Sequence, residues 1–332
     1  MSTANTTLSL RVAETKTLNP LIRELRFEAA DGATLPGWSA GSHIKVQVKL
    51  PDGSTDWRQY SLIDLQGQSG SADFAPASYT IAVRREDDGR GGSKFMHSQL
   101  QTGDTVLVEA PKNDFPMHDT DGVSVFLAGG IGITPMASMA AYCVKAGKKL
   151  QLHYAGRSRD FMAFLPELQA LLGDALLVHA DAESAGSGFN IDELLDGCAE
   201  NDRLYVCGPK ALLDSVLEKA HARGWAPERV HFELFTAPAV EAGDHAFEVE
   251  MAQSGQKFTV PVGQTILDCM IENGCDPMFD CKRGECGVCA YPVMEGEIDH
   301  RDYVLNQRER DAGNVIQVCV SRAKGARLVL DA

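Results

Sequence analysis

The segment Cys281-Lys282-Arg283-Gly284-Glu285-Cys286-Gly287-Val288-Cys289 sets three cysteines in the spacing C-x4-C-x2-C, and a fourth, Cys319, stands near the end of the chain. Thiolates are soft donors that stabilise iron and bridging sulfide, and this spacing with a distant fourth cysteine is the arrangement that holds a plant-type 2Fe-2S cluster. Gly284 and Gly287 fall between the ligands, where a tight loop has to point backbone N–H groups at sulfur. Structural zinc usually takes two closely spaced cysteine pairs, and here only Cys286 and Cys289 form one. Disulfides need an oxidising compartment, and Met1 to Asn5 is polar with no apolar leader behind it. A single 2Fe-2S cluster moves one electron at a time at low potential, so this region reads as an electron port.

Working outward, 332 residues exceed one ordinary core and suit two or three domains. A hydrophobic content of 44% with 23% charged residues is globular, and no apolar run reaches the length of a membrane span. The formal charge of −15 argues against nucleic acid and anionic membranes and favours a protein partner of basic or mixed charge. Cys143, Cys198, Cys269 and Cys275 read as small buried hydrophobes in a reducing cytoplasm.

Residues 1–112 alternate strand and turn. Leu8 to Thr15, Ile22 to Glu28, His43 to Leu50, Arg58 to Ile63, Tyr79 to Arg84 and Thr105 to Glu109 predict six antiparallel strands closing a small barrel, with one helix over Lys94 to Leu100. On it, Arg58-Gln-Tyr60-Ser61 sends Arg58 and Tyr60 to one strand face and Ser61 to the other. Such an Arg can hold a phosphate while the ring covers an isoalloxazine. Gly89-Arg-Gly91-Gly92-Ser93, with Arg84 shortly before it, offers free N–H groups flanked by arginines, a second phosphate feature.

Residues 113–235 switch to a βα repeat and predict a parallel sheet. Strands are expected at Val123 to Ala128, Leu150 to Ala155, Ala175 to His179, Arg203 to Cys207 and Val230 to Phe235, with helices following Thr134, Phe161, Asn190 and Pro209. Gly129-Gly130-Ile-Gly132-Ile-Thr134-Pro135 joins the first strand to the first helix. Its glycines admit a pyrophosphate, Thr134 is expected to cap the helix, and Pro135 suits its first position. Pro135 stands where the dehydrogenase fingerprint expects its third glycine. Arg157 and Arg159 flank Ser158 after the second strand and suit a 2′-phosphate, whereas Asp181 past the third strand suits either repulsion of a phosphate or a bond to a ribose hydroxyl.

Residues 236–245 read as a linker and 246–332 as the cluster domain, with a hairpin over Phe247 to Met251 and Lys257 to Val262, a helix over Gln264 to Asn273, and Cys319 on a strand from Ile316 to Val320. Asp276, Asp280, Glu285, Glu295, Glu297 and Asp299 form an acidic surround that suits steering of a complementary partner.

In that order, R-x-Y-S, a Gly-Gly-Ser loop, G-G-x-G-x-T-P, Cys207-Gly208-Pro209 and a C-terminal plant-type cysteine loop, the chain resembles the phthalate dioxygenase reductase family, a branch of the ferredoxin reductases. The resemblance covers nearly the whole chain and implies a flavin barrel, a nucleotide domain and a β-grasp ferredoxin domain. It implies FMN, with its phosphate on Arg58, Arg84, Gly91, Gly92 and Ser93 and with Ser61 near flavin N5. It implies NADH on Gly129, Gly130, Gly132, Thr134, Pro135, Gly208 and Pro209, with Cys207 beside the nicotinamide. An aromatic of His231-Phe232-Glu-Leu-Phe235 would stack on the flavin; Phe235 is the first candidate and Phe232 the second. The acceptor it implies is a Rieske-type terminal oxygenase. The acidic surface and the set of three domains suit a monomer. Two competing readings are a ferredoxin-like module without hydride chemistry and a reductase for a diiron monooxygenase, which usually carries its ferredoxin first and uses FAD.

Overall fold

The computed structural model describes residues 6–71, 74–183, 189–235 and 240–332. Strands β1 (Thr7–Asn19), β2 (Ile22–Ala29), β3 (His43–Lys49), β4 (Thr55–Ser61), β5 (Ser78–Arg84) and β6 (Thr105–Lys112) form one antiparallel sheet in the order β4-β3-β6-β1-β2-β5. Alternation turns Leu10, Val12, Leu25, Phe27, Ile44, Val46, Val48, Ile81 and Val83 inward, where they pack into one core. Ile63 N–H donates to Thr80 O at 2.9 Å, which draws the two edge strands together and closes the barrel.

The helix expected over Lys94 to Leu100 is α-helical only across α1 (Gly92–Lys94) and continues as a π-turn, Phe95–Gln99. Leu100 N–H closes the wider turn on Phe95 O at 3.1 Å, and the buried Arg23 guanidinium supports it by donating to the carbonyls of Met96, His97 and Leu100 at 2.8 to 2.9 Å.

The parallel sheet runs β11-β10-β7-β8-β9, from β7 (Ser124–Gly129), β8 (Leu150–Gly156), β9 (Leu176–Ala180), β10 (Arg203–Cys207) and β11 (Val230–Glu233). Helices α2 (Ile133–Lys145), α3 (Leu165–Leu172), α4 (Ile191–Gly197) and α5 (Lys210–Ala222) connect its strands. The order reverses beside β7, so the crevice at the carboxyl ends of β7 and β10 is the switch point at which such sheets bind ligands. Ser138 Oγ on α2 donates to Leu62 O at 2.8 Å and accepts from Asp64 N–H at 2.9 Å. Through these bonds α2 is fastened to the barrel directly after Ser61.

By its own contacts the chain divides into two units, Met1–Glu233 and Leu234–Ala332. Barrel and parallel sheet share the first. Of the expected linker, residues 236–239 lie outside the described residues.

The second unit is built on β12 (Phe247–Met251), β13 (Lys257–Val260), α6 (Ile266–Glu272), β14 (Ala290–Glu295), β15 (Ile298–Asp299), α7 (Gln307–Ala312), β16 (Val315–Gln317), β17 (Arg322–Ala323) and β18 (Arg327–Leu330). Its main sheet runs β13-β12-β18-β14-β16, and α6 packs on it over Val249, Val260, Ile316 and Leu328. Helix α7 is not among the expected elements, although Asn306 and Glu309 make a reciprocal capping box and Gly313 closes the helix at φ 62°.

Candidate functional site

Strand β4 carries Arg58 and Tyr60 half-buried, as are Asp56, Trp57 and Gln59 around them, and Ser61 buried at its end. Ser61 Oγ and Arg58 Nη2 are both buried without a hydrogen-bond partner. Buried polar atoms of this kind are rare, because each loses its water for nothing. They fit a phosphate-bearing flavin, which would bring acceptors for an unpaired guanidinium N–H and hydroxyl.

The glycine loop meets Arg58 directly. A Cβ on Gly92 would lie 3.0 Å from Arg58 Nε, and one on Gly91, at φ +94°, would lie 2.5 Å from Pro51 Cδ. Glycine is required at 91, and at 92 a side chain would crowd the Arg58 guanidinium. Ser93 Oγ accepts from Glu86 N–H at 3.0 Å, and Glu86 in turn pairs with Arg84 at 3.1 Å. Arg58 is paired with Asp56. Burial alone would raise the Asp56 carboxyl, but the hydrogen bond and charge of Arg58 outweigh it and hold the group below the usual carboxylate range. Both expected phosphate arginines therefore carry a carboxylate, which nothing in the R-x-Y-S motif announces.

At the switch point the two glycine-rich turns touch backbone to backbone. A Cβ on Gly132 would stand 2.0 Å from Cys207 O, one on Gly129 2.7 Å from Pro209 Cδ, and one on Gly208 3.1 Å from Gly129 N. This contact seats buried Cys207 beside the open N-terminus of α2, whose N–H groups suit a pyrophosphate. Thr134 does not cap the helix. A 3-10 turn, Gly130–Gly132, starts the helical path earlier, so Thr134 lies inside α2 and its hydroxyl donates back to Ile131 O at 3.0 Å. Pro135 is consequently third in the helix instead of first, still within the turn that has no use for its N–H. Arg157 is exposed, and Ala182 N–H donates to its carbonyl at 2.9 Å, beside Asp181. Phe232 belongs to β11 of the first unit, whereas Phe235, half-buried, belongs to the second.

In the second unit Cys281, Cys289 and Cys319 are buried and Cys286 is exposed. Their thiols form a continuous set of contacts, Cys286 to Cys281, Cys281 to Cys319 and Cys319 to Cys289. Arg283 N–H donates to Cys281 Sγ at 3.3 Å, Glu285 N–H points at the same sulfur, and Val288 N–H points at Cys286. Hydrogen bonds from Cys286 and Cys319, then those from the loop backbone, pull the Cys281 thiol down. Four converging sulfurs with N–H groups aimed at them fit a 2Fe-2S cluster, which spreads four thiolates over two irons. Among the described residues no three His, Cys, Asp or Glu side chains gather as they would on a single metal ion.

Cys319 is not on a strand. The ladder ends at Gln317 opposite Ala290, and the chain turns at Val318 so that Cys319 faces the loop. Gly284 and Gly287, at φ 77° and 75°, press against Val320, Asp302 and Val304, so the loop is backed by a second segment. Buried Asp302 orders that segment by accepting from Val304 and Leu305 N–H at 3.1 and 2.8 Å. Buried Gln317 puts its amide 3.5 Å from Cys289 Sγ. Neither residue belongs to the cysteine motif, and only the fold reveals them. Glu285 leaves the acidic surround: its side chain is 15% exposed, pairs with Arg283 at 3.1 Å and accepts from Leu234 N–H at 2.6 Å.

A chain that can cradle a dinucleotide, a flavin and four-thiolate iron is equipped to receive electrons as a pair and release them singly, which makes it a nicotinamide-dependent flavin and iron–sulfur oxidoreductase. Family models for an oxidoreductase FAD-binding domain, an oxidoreductase NAD-binding domain and a 2Fe-2S iron-sulfur cluster binding domain match residues 9–116, 126–218 and 249–324. The heme-dependent oxidative N-demethylase beta subunit of Ectopseudomonas mendocina is 38% identical over 98% of this chain and 99% of its own. Vanillate O-demethylase oxidoreductase of Pseudomonas sp. is 39% identical over 93% and 95%. The solved structure of phthalate dioxygenase reductase superposes with a TM-score of 0.74 at 34% identity, over 98% of each chain. The chain belongs to the phthalate dioxygenase reductase family.

Proposed function

We propose that this is the reductase component of a Rieske-type oxygenase system, a cytoplasmic monomer using NADH and FMN, with its domains at 1–112, 113–235 and 246–332 and a linker at 236–245. When bound, the flavin accepts hydride and the cluster carries single electrons onward. The chain supplies position. Arg58, Arg84 and the Gly91–Ser93 loop hold the flavin phosphate, Tyr60 covers the ring, and Ser61 offers its hydroxyl at N5. Gly129, Gly130, Gly132, Pro135 and the Gly208–Pro209 turn admit the dinucleotide, Thr134 steadies the first turn of α2, and Asp181 takes the ribose hydroxyl with Arg157 beside it. Cys207 lies against the nicotinamide, and Phe235 covers the flavin when the nicotinamide is absent. Cys281, Cys286, Cys289 and Cys319 ligate the cluster. The observation that carries this reading is the pair of orphaned atoms, Ser61 Oγ and Arg58 Nη2, in the same chain as the convergent thiols.

Two measurements test it. Flavin released from the purified protein is expected to chromatograph as FMN, and FAD in its place overturns the phosphate assignment. Anaerobic NADH is expected to bleach the flavin and produce the EPR signal of a reduced 2Fe-2S cluster, and the reduced protein to support turnover of a Rieske oxygenase. The relative named for a heme-dependent demethylase supports a second reading, a haem-containing acceptor. Electron delivery to a haem oxygenase with none to a Rieske protein decides for it.

A further inference from the structure

Strands β8 and β9 run parallel with Gly156 opposite Ala180, and just past their carboxyl ends the segments 157–159 and 181–183 stay side by side, joined by the bond from Ala182 N–H to Arg157 O. In an open parallel sheet this end of the second strand is where an adenosine ribose is read, an acidic side chain choosing a free 2′-hydroxyl and an arginine choosing a 2′-phosphate. Here both residue types are present and engaged with each other. Arg159 Nε donates to Glu183 Oε1 at 2.8 Å and Arg159 Nη2 to Glu183 Oε2 at 3.2 Å, a fork-to-carboxylate pair.

We infer that Glu183 is a specificity-determining residue that excludes NADPH, by occupying the guanidinium of Arg159 and by setting a carboxylate where the 2′-phosphate would lie. The inference rests on the NADH reading above and names the residue that enforces it. A phosphate dianion seeking Arg159 finds the Glu183 carboxylate already on the guanidinium and has to break two charge-assisted hydrogen bonds to take its place. The 2′-hydroxyl of NADH carries no charge and meets neither obstacle. The hydrogen bond from Arg159 holds the Glu183 carboxyl below the usual range, so the pair stays charged at neutral pH. Arg157, whose side chain makes no ion pair with the described residues, is a second cation for a phosphate to use once Glu183 is neutral.

The test is kcat/KM for NADH and NADPH on the holoenzyme, with ferricyanide as acceptor, in wild type, Glu183→Gln and Glu183→Gln/Arg159→Ala, together with competitive inhibition by 2′,5′-ADP. Both side chains are about half exposed, so the variants keep the fold. Glu183→Gln is expected to raise kcat/KM for NADPH about tenfold, as for relief of one repulsive contact and release of one charged partner, with NADH changed less than about threefold. Inhibition by 2′,5′-ADP tightens in parallel, and Arg159→Ala in the double variant removes most of both gains. A wild-type preference for NADPH sinks the NADH reading itself. With NADH preferred, an unchanged NADPH to NADH ratio and unchanged 2′,5′-ADP inhibition in Glu183→Gln overturn the role of Glu183, and gains that survive Arg159→Ala overturn the route through Arg159.

Discussion

The cluster loop and the flavin strand solve opposite electrostatic problems. Around Cys281 the donors are backbone N–H groups and neighbouring thiols, neutral and fixed by a loop that two left-handed glycines allow. Around Arg58 the chain places full charges and then answers them with its own carboxylates, Asp56 and Glu86. A site of the first kind is ready for its ligand and fails as a unit. One of the second kind exchanges a partner on binding, so its affinity is graded, tunable and sensitive to salt.

The largest effect is therefore expected at the loop. Cys289→Ser removes one of four ligands and should abolish the 2Fe-2S visible and EPR signals, while NADH still bleaches the flavin. A retained cluster signal would overturn the ligand assignment. Arg58→Ala with Arg84→Ala comes next. Charge-assisted hydrogen bonds contribute about 1.5–3 kcal/mol each, so the double variant should bind flavin about a hundredfold or more weakly and purify flavin-poor with its cluster intact. Normal flavin content would refute the phosphate site.

The same contrast explains what the sequence discloses. Metal ligation needs particular atoms at particular spacings, so Cys281, Cys286, Cys289 and Cys319 are legible as text, as are the six strands whose apolar residues alternate. The partners of an arginine are set by which side chains the register brings beside it. Asp56 stands two residues before Arg58 on the same strand face, visible in principle, yet an i, i+2 carboxylate is too common to single out. Asp302 and Gln317 come from two segments that only tertiary packing sets against the cysteines, and Thr134 lies inside α2 because a 3-10 turn advances the helix start. The capping box of α7, Asn306 with Glu309, is by contrast legible in the sequence.

The dinucleotide turn lies between the two extremes, since it is neutral like the loop but has to admit a mobile ligand. Gly132→Ala would push a methyl to 2.0 Å from Cys207 O, and neither backbone can yield without moving the turn. Misplacement on this scale is expected to lower kcat/KM for NADH about tenfold or more, with flavin content and cluster spectrum unchanged. Stopped-flow flavin reduction separates the outcomes. Wild-type rates would mean that the close approach of the two turns has no part in seating the nucleotide.

The smallest effect is the sharpest probe of the contrast, because it runs toward gain. Asp56 pairs with Arg58 and lies partly out of solvent, so a phosphate placed on Arg58 has both to compete with a carboxylate and to sit beside it. Asparagine preserves the size and the hydrogen bond from Trp57 N–H to the side-chain oxygen, at 2.8 Å in the parent, while removing the charge. For a partly exposed pair the gain is modest, about 0.5–1 kcal/mol, so Asp56→Asn apoprotein should bind FMN about threefold more tightly by fluorescence titration. The difference should shrink as ionic strength rises, since screening weakens the attraction and the repulsion alike. Riboflavin separates charge from shape: lacking a phosphate, it should bind parent and variant equally. Tighter binding of riboflavin as well would place the effect of Asp56 on the ring instead of the phosphate, and weaker binding of FMN would show that Asp56 orients Arg58 for the phosphate and does not compete with it.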